Sequence, residues 1–356
     1  MNADRYLPSR LGLLRNDALG DTLLALPVAS AARRINRTIE VELVCAPELV
    51  DLMRAHPDLS DVVADPGGDA RGLARVLRRR RYEAILVLRP TPRNALAAFL
   101  AGIPVRVGTA WRFYGTLFNL RWHGHRRFNE RHEIEYNLLL LQRLLGRDPG
   151  TPEFYLPPPP AEQEGTLALL ADQGIALVRP LVALHPGSSG SALPWPIGHY
   201  VELARLLSAD GVQVVVSGSA DEADLTGQVA AVPGVVDLTG RTTLGQLAWI
   251  FKSCDTMVSN STGPLHLAAA VGTKVVGLYP AAEVNSPVRW GPWGPGHKTF
   301  RGPVDDCRRC VGSKCEVYNC LEQVSPEQVR RVAFGIMEQS PHHGRYQPSH
   351  SSPEQS

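Results

Sequence analysis

Short apolar runs alternate along most of the chain with segments whose apolar residues recur at helical spacing. In the first half this pattern predicts strands at residues 10–15, 39–45 and 84–88, and helices at 21–34, 69–81 and 132–145. In the second half it predicts strands at 181–185, 212–217, 235–238, 256–259 and 274–279, and helices at 199–209, 221–231, 244–253 and 265–271. Such alternation is typical of α/β proteins whose parallel sheets are covered by helices on both faces.

A proline-rich stretch at 150–160 separates the two halves and reads as a stiff connector. The pattern therefore predicts a first domain at 1–157 and a second at 158–324, which includes a cysteine-rich loop at 305–321. A capped helix at 325–339 is expected to return to the first domain, and the polar tail at 340–356 is expected to be disordered. Ligands of parallel sheets bind beyond the carboxyl ends of the strands, so two such domains place a site in the cleft between them.

Composition narrows the class of protein. The chain has 356 residues and a net charge of +2, which suits a two-domain globular protein and disfavours a general nucleic-acid binder. No signal-peptide pattern opens the sequence, so we expect a cytoplasmic protein. Arginines cluster at 78–81 and 121–131. These clusters are either solvated surface or contacts with an anionic acceptor or an anionic membrane surface, such as the inner face of the inner membrane.

A strand-to-helix turn near residue 260 is a candidate phosphate site. The strand at 256–259 leads into a helix opened by Ser261 and Thr262, with Gly263 and Pro264 in its first turn and His266 just beyond. A helix start presents unpaired N–H groups and a partial positive charge, both of which suit a phosphate. The alternative is a capped helix with a polar tip and no ligand.

A second turn of the same kind follows the first strand, over residues 15–27. Gly20 allows a tight turn, and Asp21 lies where the first helix begins, at the carboxyl edge of the sheet. Asp21 is either an N-cap or a general base that faces the cleft and accepts a proton from an acceptor hydroxyl.

Two further loops follow strands of the second half. One contains His185, Pro186, Gly187, Ser188 and Ser189, and the other runs over 217–222. Small and hydroxyl residues allow a diphosphate to approach the backbone closely, and Asp221 or Glu222 could hold ribose hydroxyls.

Together these motifs resemble glycosyltransferase family 9, the heptosyltransferase family. The resemblance rests on Gly20-Asp21 with Leu26-Pro27, on the loop at 185–188, on Trp195-Pro196 and on residues 260–270, in the family's order. It implies a GT-B architecture, in which two Rossmann-like domains face a central cleft. It also implies inverting transfer of heptose from ADP-heptose to a lipopolysaccharide core acceptor, without a catalytic metal or other cofactor.

The resemblance also implies roles for individual residues. Asp21 matches the catalytic base. Donor-binding residues are expected at Ser188, Ser189, Glu222, Ser261, Thr262, Gly263 and His266. Arg106 and Arg112 lie in the half where the family binds its acceptor, and arginine forks suit phosphate or carboxylate groups on an acidic sugar.

Two departures from the family pattern fall in the donor site. Leu193-Pro194 stands where a basic residue commonly precedes Trp-Pro, and Ser261 stands where Asp is frequent. Arg15, Lys274 or Arg289 could supply the missing cation. The departures leave open a noncatalytic sugar-nucleotide or glycan-binding protein, or a transferase that uses another nucleotide sugar. A nucleic-acid binder ranks below both because the arginines are not interleaved with stacking aromatic residues.

Four cysteines cluster late in the chain. Cys307, Cys310, Cys315 and Cys320 have the spacing C-x₂-C-x₄-C-x₄-C, which would allow four thiolates to hold a structural zinc or iron. The alternative is a loop of reduced thiols. Cys45 and Cys254 fall in or beside apolar runs and read as buried thiols.

Overall fold

The computed structural model describes residues 7–188, 190, 192–303, 307, 310–311, 314–315 and 318–339, with the backbone alone at 310, 311 and 314. Ser189 and the tail at 340–356 lie outside this range. Two six-stranded sheets dominate the structure, and every strand pair in both of them is parallel.

The first sheet has the order β3-β2-β1-β4-β5-β6. Its strands are β1 Arg10–Leu14, β2 Glu40–Cys45, β3 Asp61–Ala64, β4 Ala84–Val87, β5 Val105–Thr109 and β6 Leu120–Trp122. Its helices are α1 Leu19–Leu23, α2 Leu26–Ile35, α3 Val50–Met53, α4 Ala70–Arg80, α5 Pro92–Leu100 and α6 Glu133–Leu145, with 3₁₀ turns at Pro47–Leu49 and Phe113–Leu117.

The second sheet has the order β12-β11-β10-β7-β8-β9. Its strands are β7 Leu181–His185, β8 Gln213–Val216, β9 Val235–Asp237, β10 Thr256–Asn260, β11 Lys274–Tyr279 and β12 Lys298–Arg301. Its helices are α7 Gln163–Asp172, α8 Ile197–Ala209, α9 Ala223–Ala230, α10 Leu244–Ser253, α11 Gly263–Ala270, α12 Pro287–Trp290 and α13 Pro326–Met337, with 3₁₀ turns at Pro160–Glu162, Ala220–Glu222, Glu283–Asn285 and Cys320–Gln323. A short antiparallel pair, β13 Cys310–Val311 and β14 Lys314–Cys315, lies between β12 and α13.

The α/β architecture with two Rossmann-like domains is confirmed. The predicted helix at 21–34 is instead two helices, α1 and α2, because Pro27 occupies the first turn of α2 and has no N–H to continue the helical ladder from α1. Strands β3, β5, β6, β12, β13 and β14 and helices α3, α5, α7 and α12 are additional to the predicted elements.

The last helix forms where it was predicted, but it does not return to the first domain. Helix α13 packs against α8, β10 and β11 of the second domain. Its apolar face joins Val329, Ile336 and Met337 to the buried cluster around β7, β8 and α8. Arg330 also donates to Asp210 at the end of α8, at 2.6 Å. An amphipathic pattern shows that one face is buried but not what covers it, and here the second sheet does so.

The two domains share one apolar core. The largest cluster of buried residues includes β1 and β2 of the first sheet together with Leu181, Met257 and Leu265 of the second domain. The proline-rich connector is fixed to the second domain, since the N–H of Leu156 donates to the carbonyl of Ala270 at 2.9 Å. Among the described residues, no helix combines the length and the apolar composition that crossing a bilayer requires.

Candidate active site

The two predicted strand-to-helix turns meet across the cleft. Helix α1 lies against α11, and the contact is close because each helix has a glycine in its first turn, Gly20 in α1 and Gly263 in α11. A Cβ on Gly20 would lie 2.8 Å from Cδ2 of His266 and 3.2 Å from Cα of Gly263. A Cβ on Gly263 would lie 3.0 Å from Cβ of Leu19. The structure therefore brings the neighbourhood of Asp21 and the turn of His266 together, and only glycine fits at the crossing.

Asp21 is a partly buried carboxylate held by one arginine. Its Oδ1 accepts from Nη2 of Arg15, and its side chain is 26% exposed. No side chain caps α1 at Ala18, so Asp21 is not the N-cap of its helix. Burial raises the pKa of Asp21 to about 6 although Arg15 opposes the shift. A carboxylate with this pKa is ionised at neutral pH and is still basic enough to take a proton.

A buried glutamate lies behind this pair. Arg15 also donates to Glu133, the first residue of α6, at 3.2 Å, and Glu133 has no exposed surface. Arg126 and Arg289 bind the same carboxylate. Burial alone would raise the pKa of Glu133, but the three arginines outweigh it and hold that pKa below its usual range. Sequence analysis missed Glu133, because no local motif marks a residue whose partners lie up to 156 residues away. Arg126 belongs to the arginine cluster at 121–131, but nothing in the sequence links it to Glu133.

In the second domain one asparagine joins three loops. Asn260, the last residue of β10, is fully buried and accepts at Oδ1 from the N–H of Trp195 at 2.9 Å. Its Nδ2 donates to the carbonyl of Pro186 at 2.7 Å. The loops at 185–188, 195 and 260–266 are thereby fixed relative to one another, which supports a common ligand site at the carboxyl edge of this sheet.

Glu222 lies against the first of these loops. It accepts from the N–H of Ser219 at 2.9 Å, and a Cβ on Gly187 would collide with its carboxylate. Ser188, which follows Gly187, is half-buried at the same edge. The predicted donor residues Ser188 and Glu222 are therefore neighbours, while Ser189 lies outside the described residues.

The turn that precedes α11 is largely buried. Thr262 is 8% exposed and its hydroxyl lies 3.3 Å from that of Ser259. Ser261 hydrogen-bonds with Tyr279, whose hydroxyl also donates to the carbonyl of Trp290 at 2.8 Å. His266 is 4% exposed, and its Nδ1 has no hydrogen-bond partner among the described residues. Burial lowers the pKa of His266 to about 3, so the ring is neutral at physiological pH.

The position before Trp195 carries no charge that could face a phosphate, since Leu193 is buried at 5% exposure. Of the three cations considered as substitutes, Lys274 begins β11 at the amino edge of its sheet and donates to the carbonyl of Pro295 at 3.1 Å. Arg15 follows the end of β1, and Arg289 lies in α12, beyond the end of β11. Only these two lie at the carboxyl edges that face the cleft.

A separate cleft of about 330 Å³ opens at the carboxyl edge of the first sheet. Its floor includes the last residues of β4, β5 and β6, and its lining includes Trp111, Arg112, Trp122, His125, Arg126 and Arg127. The rings of Trp111 and His125 stack at 3.9 Å. Arg112 thus lies in a concave basic and aromatic site.

Arg106 lies elsewhere. It is near the start of β5, and its guanidinium donates to the carbonyls of Ile103 at 2.6 Å and Leu117 at 2.9 Å. Burial lowers the pKa of Arg106, and its charge packs over the ring of Phe99 at 5.5 Å. Because β5 runs through the sheet, Arg106 and the cleft residue Thr109 lie towards opposite ends of that strand.

Three thiols of the cysteine cluster lie near one another. Cys307 and Cys315 pack against the cluster that contains buried Cys320, and both raise the pKa of Cys320, although burial is the larger cause. Cys310 pairs with Cys315 between β13 and β14, but the position of its side chain is not described. Among the side chains that are described, no three His, Cys, Asp or Glu residues form a group that could hold a metal ion.

Comparison with known proteins gives one consistent result. Residues 70–320 match the profile of Glycosyltransferase family 9 (heptosyltransferase). Lipopolysaccharide heptosyltransferase 2 of Escherichia coli (strain K12) is 31% identical over 246 residues, which are 64% of this chain and 70% of that protein.

Solved structures agree in architecture. The glycosyl transferase family 9 protein of Veillonella parvula DSM 2008 superposes with a TM-score of 0.81 at 19% identity, covering 96% of this chain and 99% of the other. The E. coli ADP-heptose LPS heptosyltransferase II superposes with a TM-score of 0.74 at 23% identity, covering 93% and 99%. The expected GT-B fold, with two parallel-sheet domains facing a cleft, is confirmed.

Proposed function

We propose that this chain, which belongs to glycosyltransferase family 9, transfers heptose from ADP-heptose to a lipopolysaccharide core or related glycan acceptor. One observation carries the proposal: an Asp with a pKa of about 6 lies beside the close contact between Gly20 and the turn of His266. A base on the acceptor side and a phosphate-binding helix start on the donor side are what a direct displacement requires.

In the proposed reaction, Asp21 accepts the proton of an acceptor hydroxyl as that oxygen attacks the anomeric carbon of the heptose. The bond from this carbon to the diphosphate breaks, its electrons leave with ADP, and the configuration inverts. Arg15 occupies Oδ1 of Asp21, and no described residue donates to Oδ2. That oxygen is therefore the one assigned to the acceptor hydroxyl. No cofactor is assigned to the transfer.

The donor is assigned to the carboxyl edge of the second sheet. Backbone N–H groups at the start of α11 and the hydroxyl of Thr262 suit the diphosphate, with Gly263 allowing close approach. His266, neutral and buried, is assigned to the heptose. Ser188 and Ser189 are assigned to the phosphates and Glu222 to the nucleoside, by their match to the family pattern. Ser261, which stands where the family frequently has Asp, is assigned to the donor site by its place in the turn before α11.

The acceptor is assigned to the first-domain cleft. Sugar rings stack on aromatic faces, and arginine forks bind phosphate and carboxylate groups. Arg112 and Arg127 supply the forks there, while Trp111 and Trp122 supply the faces. Arg126 also lines the cleft, but its guanidinium is bonded to Glu133 and Asn137. Arg106 is not assigned to acceptor binding, because its guanidinium donates to two backbone carbonyls away from the cleft.

Contact with the inner face of the inner membrane is a second part of this proposal. Beside the cleft, Phe113 is 83% exposed and Trp111 and Phe128 are both 53% exposed. Arg127 packs over the ring of Phe128 at 4.7 Å. Exposed aromatic side chains among arginines suit the boundary of an anionic bilayer, where a lipid-anchored acceptor would be presented.

The uncharged, buried Leu193 favours an alternative to heptose transfer from ADP-heptose. In that alternative the protein binds a sugar nucleotide without turning it over, or it uses another nucleotide sugar. Transfer from ADP-heptose to a heptose-free core acceptor distinguishes the two. We expect turnover by the wild-type protein and a loss of about 10²–10⁴-fold in Asp21→Asn, with thermal stabilisation by ADP retained. Near-normal turnover in Asp21→Asn would remove Asp21 as the base. Stabilisation by ADP with no turnover on any acceptor or donor would establish the noncatalytic reading.

A structural zinc or iron at Cys307, Cys310, Cys315 and Cys320 is retained as a hypothesis. It rests on the spacing of the four cysteines in the sequence. Elemental analysis of protein purified without chelators tests it, and less than about one-tenth of an equivalent of either metal would exclude it.

A further inference from the structure

Glu133 is the meeting point of three arginines from three segments of the chain. Its Oε1 accepts from Arg15, after β1, and from Arg126, in the loop before α6. Its Oε2 accepts from Nε of Arg289 in the second domain at 3.0 Å. Burying a carboxylate is costly unless it is fully paired, so a completely buried glutamate with three cations is a specific arrangement.

Arg15 is fixed by this arrangement on all three of its nitrogens. Its Nε donates to Asp17 at 2.8 Å, its Nη2 donates to Asp21, and its Nη1 donates to Glu133 and to the carbonyl of Leu88, each at 3.2 Å. The plane of the guanidinium is thereby set, and with it the direction from which Asp21 is held.

Arg289 makes the corresponding link across the cleft. Besides Glu133, it donates from Nη1 to Oδ1 of Asn129 at 3.1 Å, and it packs over the ring of Trp290 at 4.4 Å. The carbonyl of Trp290 accepts from Tyr279, which bonds Ser261 in the turn before α11. A chain of contacts therefore runs from the proposed base through Arg15, Glu133 and Arg289 to the proposed donor turn, with hydrogen bonds at every step except the packing of Arg289 on Trp290.

We infer that Glu133 is a positioning residue for the transfer, which holds Arg15 against the Asp21 carboxylate and holds Arg289 of the second domain across the closed cleft. This inference rests on the proposed function for the identity of the reaction. Glu133 itself is completely buried and does not touch substrate. It acts through the two arginines that fix the base and the donor turn relative to each other.

The charges around Asp21 predict opposite effects for two variants. The groups that face it are Arg15 and Asp17 beside α1, Arg126 in the loop before α6, Glu133 at the start of α6, Arg289 of α12 and, from α11, the neutral His266. Glu133 raises the pKa of Asp21 and Arg289 lowers it, while burial remains the largest cause of the shift. Glu133→Gln should therefore lower the pKa of Asp21, and Arg289→Gln should raise it. A side chain that stabilised the fold at a distance from Asp21 would leave the pKa of Asp21 unchanged.

The experiment measures kcat and KM from pH 5 to pH 9 for the wild-type protein and for Glu133→Gln, Glu133→Asp and Arg289→Gln. We expect kcat to fall about 10- to 100-fold in Glu133→Gln with a smaller change in KM for ADP-heptose, since misplacing reacting groups by about 1 Å has effects of this size. The acid limb of the plot of kcat against pH should move by roughly half a pH unit to one pH unit. It should move to lower pH in Glu133→Gln and to higher pH in Arg289→Gln. Glu133→Asp keeps the charge and should restore the wild-type limb.

Glu42→Gln is the matched control. Glu42 is also buried, at 1% exposure, and is bound by Arg10 and Arg80, but it lies away from the cleft. Its replacement should leave kcat and the acid limb unchanged at temperatures where the protein is folded. If Glu133→Gln and Glu42→Gln behave alike, or if the limbs of Glu133→Gln and Arg289→Gln move in the same direction, Glu133 is not a positioning residue.

A direct titration separates this inference from the proposed function. The Asp21 carboxyl signal, followed by ¹³C NMR in aspartate-labelled protein and assigned with Asp21→Asn, reports its pKa without any donor or acceptor. Opposite shifts in Glu133→Gln and Arg289→Gln without heptose transfer by the wild-type protein would refute the proposed function and retain the linkage. Transfer by the wild-type protein without those shifts would support the proposed function and refute the linkage. If Glu133→Gln does not fold, Arg289→Gln still tests the linkage, because it should raise the pKa of Asp21.

Discussion

Glu42 and Glu133 are both carboxylates that are buried in the first domain and paired with arginines. Each is nearly or completely inaccessible, and in each case arginines hold its pKa below the usual range against the effect of burial. Each also shares an arginine with an aspartate. Arg80 joins Glu42 to Asp61, at 2.6 and 2.5 Å, and Arg15 joins Glu133 to Asp21.

The two clusters differ in what surrounds them. The partners of Glu42, which are Arg10, Arg80 and Tyr82, all belong to the first domain and lie near the amino ends of β1 and β4. Glu133 lies beyond the carboxyl ends of the strands and takes one partner, Arg289, from the other domain. The same chemistry therefore ties the fold together at one edge of the sheet and aligns a candidate base with a second domain at the other.

The largest expected contrast is in the response to pH. Because Asp21 must be ionised to act as the base and its pKa is about 6, kcat/KM should fall about tenfold for each pH unit below 6. Glu42 and Glu133 have lowered pKa values, so the stability that they supply is present above their unfolded pKa and is lost only as the pH falls through the lower folded value. Activity at pH 5 should thus decline reversibly with an unchanged circular dichroism spectrum. Parallel loss of activity and structure would contradict this order.

Stability should reveal what the two glutamates have in common. Glu42→Gln removes a charge that two arginines and Tyr82 surround, and breaking a buried pair costs about 3 kcal/mol. Denaturant unfolding should show a loss of this size in the free energy of unfolding. Glu133→Gln should lose a comparable amount, so that the two variants differ in kinetics and not in stability. A Glu42→Gln protein as stable as the wild type would show that its cluster is not a structural one.

Replacing Asp21 and replacing Asp61 should change the free energy of unfolding in opposite directions. Because the folded pKa of Asp21 is raised from 3.8 to about 6, the stability it supplies is complete below its unfolded pKa and is lost as the pH rises through the folded value. At pH 7.5 the free energy of unfolding of Asp21→Asn should therefore be about 2 kcal/mol higher than that of the wild type. Asp61, whose side chain is 43% exposed, pairs with Arg80 at the surface. Asp61→Asn should lose at most about 1 kcal/mol and keep full activity.

The smallest effect is expected at the crossing of α1 and α11. In Gly20→Ala the new methyl group would meet His266 and the backbone of Gly263, which should cost about 1 kcal/mol and raise KM for the donor. Gly72, in the first turn of α4, has ordinary space for a Cβ, 3.4 Å from Asp69. Gly72→Ala should instead gain about 0.5 kcal/mol, because alanine is the better helix former. Equal effects in thermal melts of the two variants would show that the crossing is not tight.

Local pattern was sufficient for much of the second domain. The predicted strands at 181–185 and 274–279 coincide with β7 and β11, because buried parallel strands form continuous apolar runs bounded by turn residues. Strand β6 escaped prediction because only three residues, Leu120–Trp122, form it between arginine-rich segments. The burial of α13 against α8 depends on a tertiary partner that no single segment specifies.

The candidate site divides in the same way. Asp21 and His266 could be found because each lies in a turn with a recognisable motif. Glu133 could not, since its three arginines are separated from it by 7, 118 and 156 residues. Arg106 and Arg112 look alike in sequence, and only the structure separates the one bonded to backbone carbonyls from the one that lines the cleft.

The shared apolar core has a consequence for how such proteins diversify. Leu11 and Leu13 of β1 belong to the same buried cluster as Leu265 and Leu267 of α11, so the two domains are packed against each other through a common core. Neither half is a freely exchangeable module. A chimera that joins the first domain of one relative to the second domain of another would have to inherit Gly20 and Gly263 as a pair, because the two glycines meet at the crossing of α1 and α11.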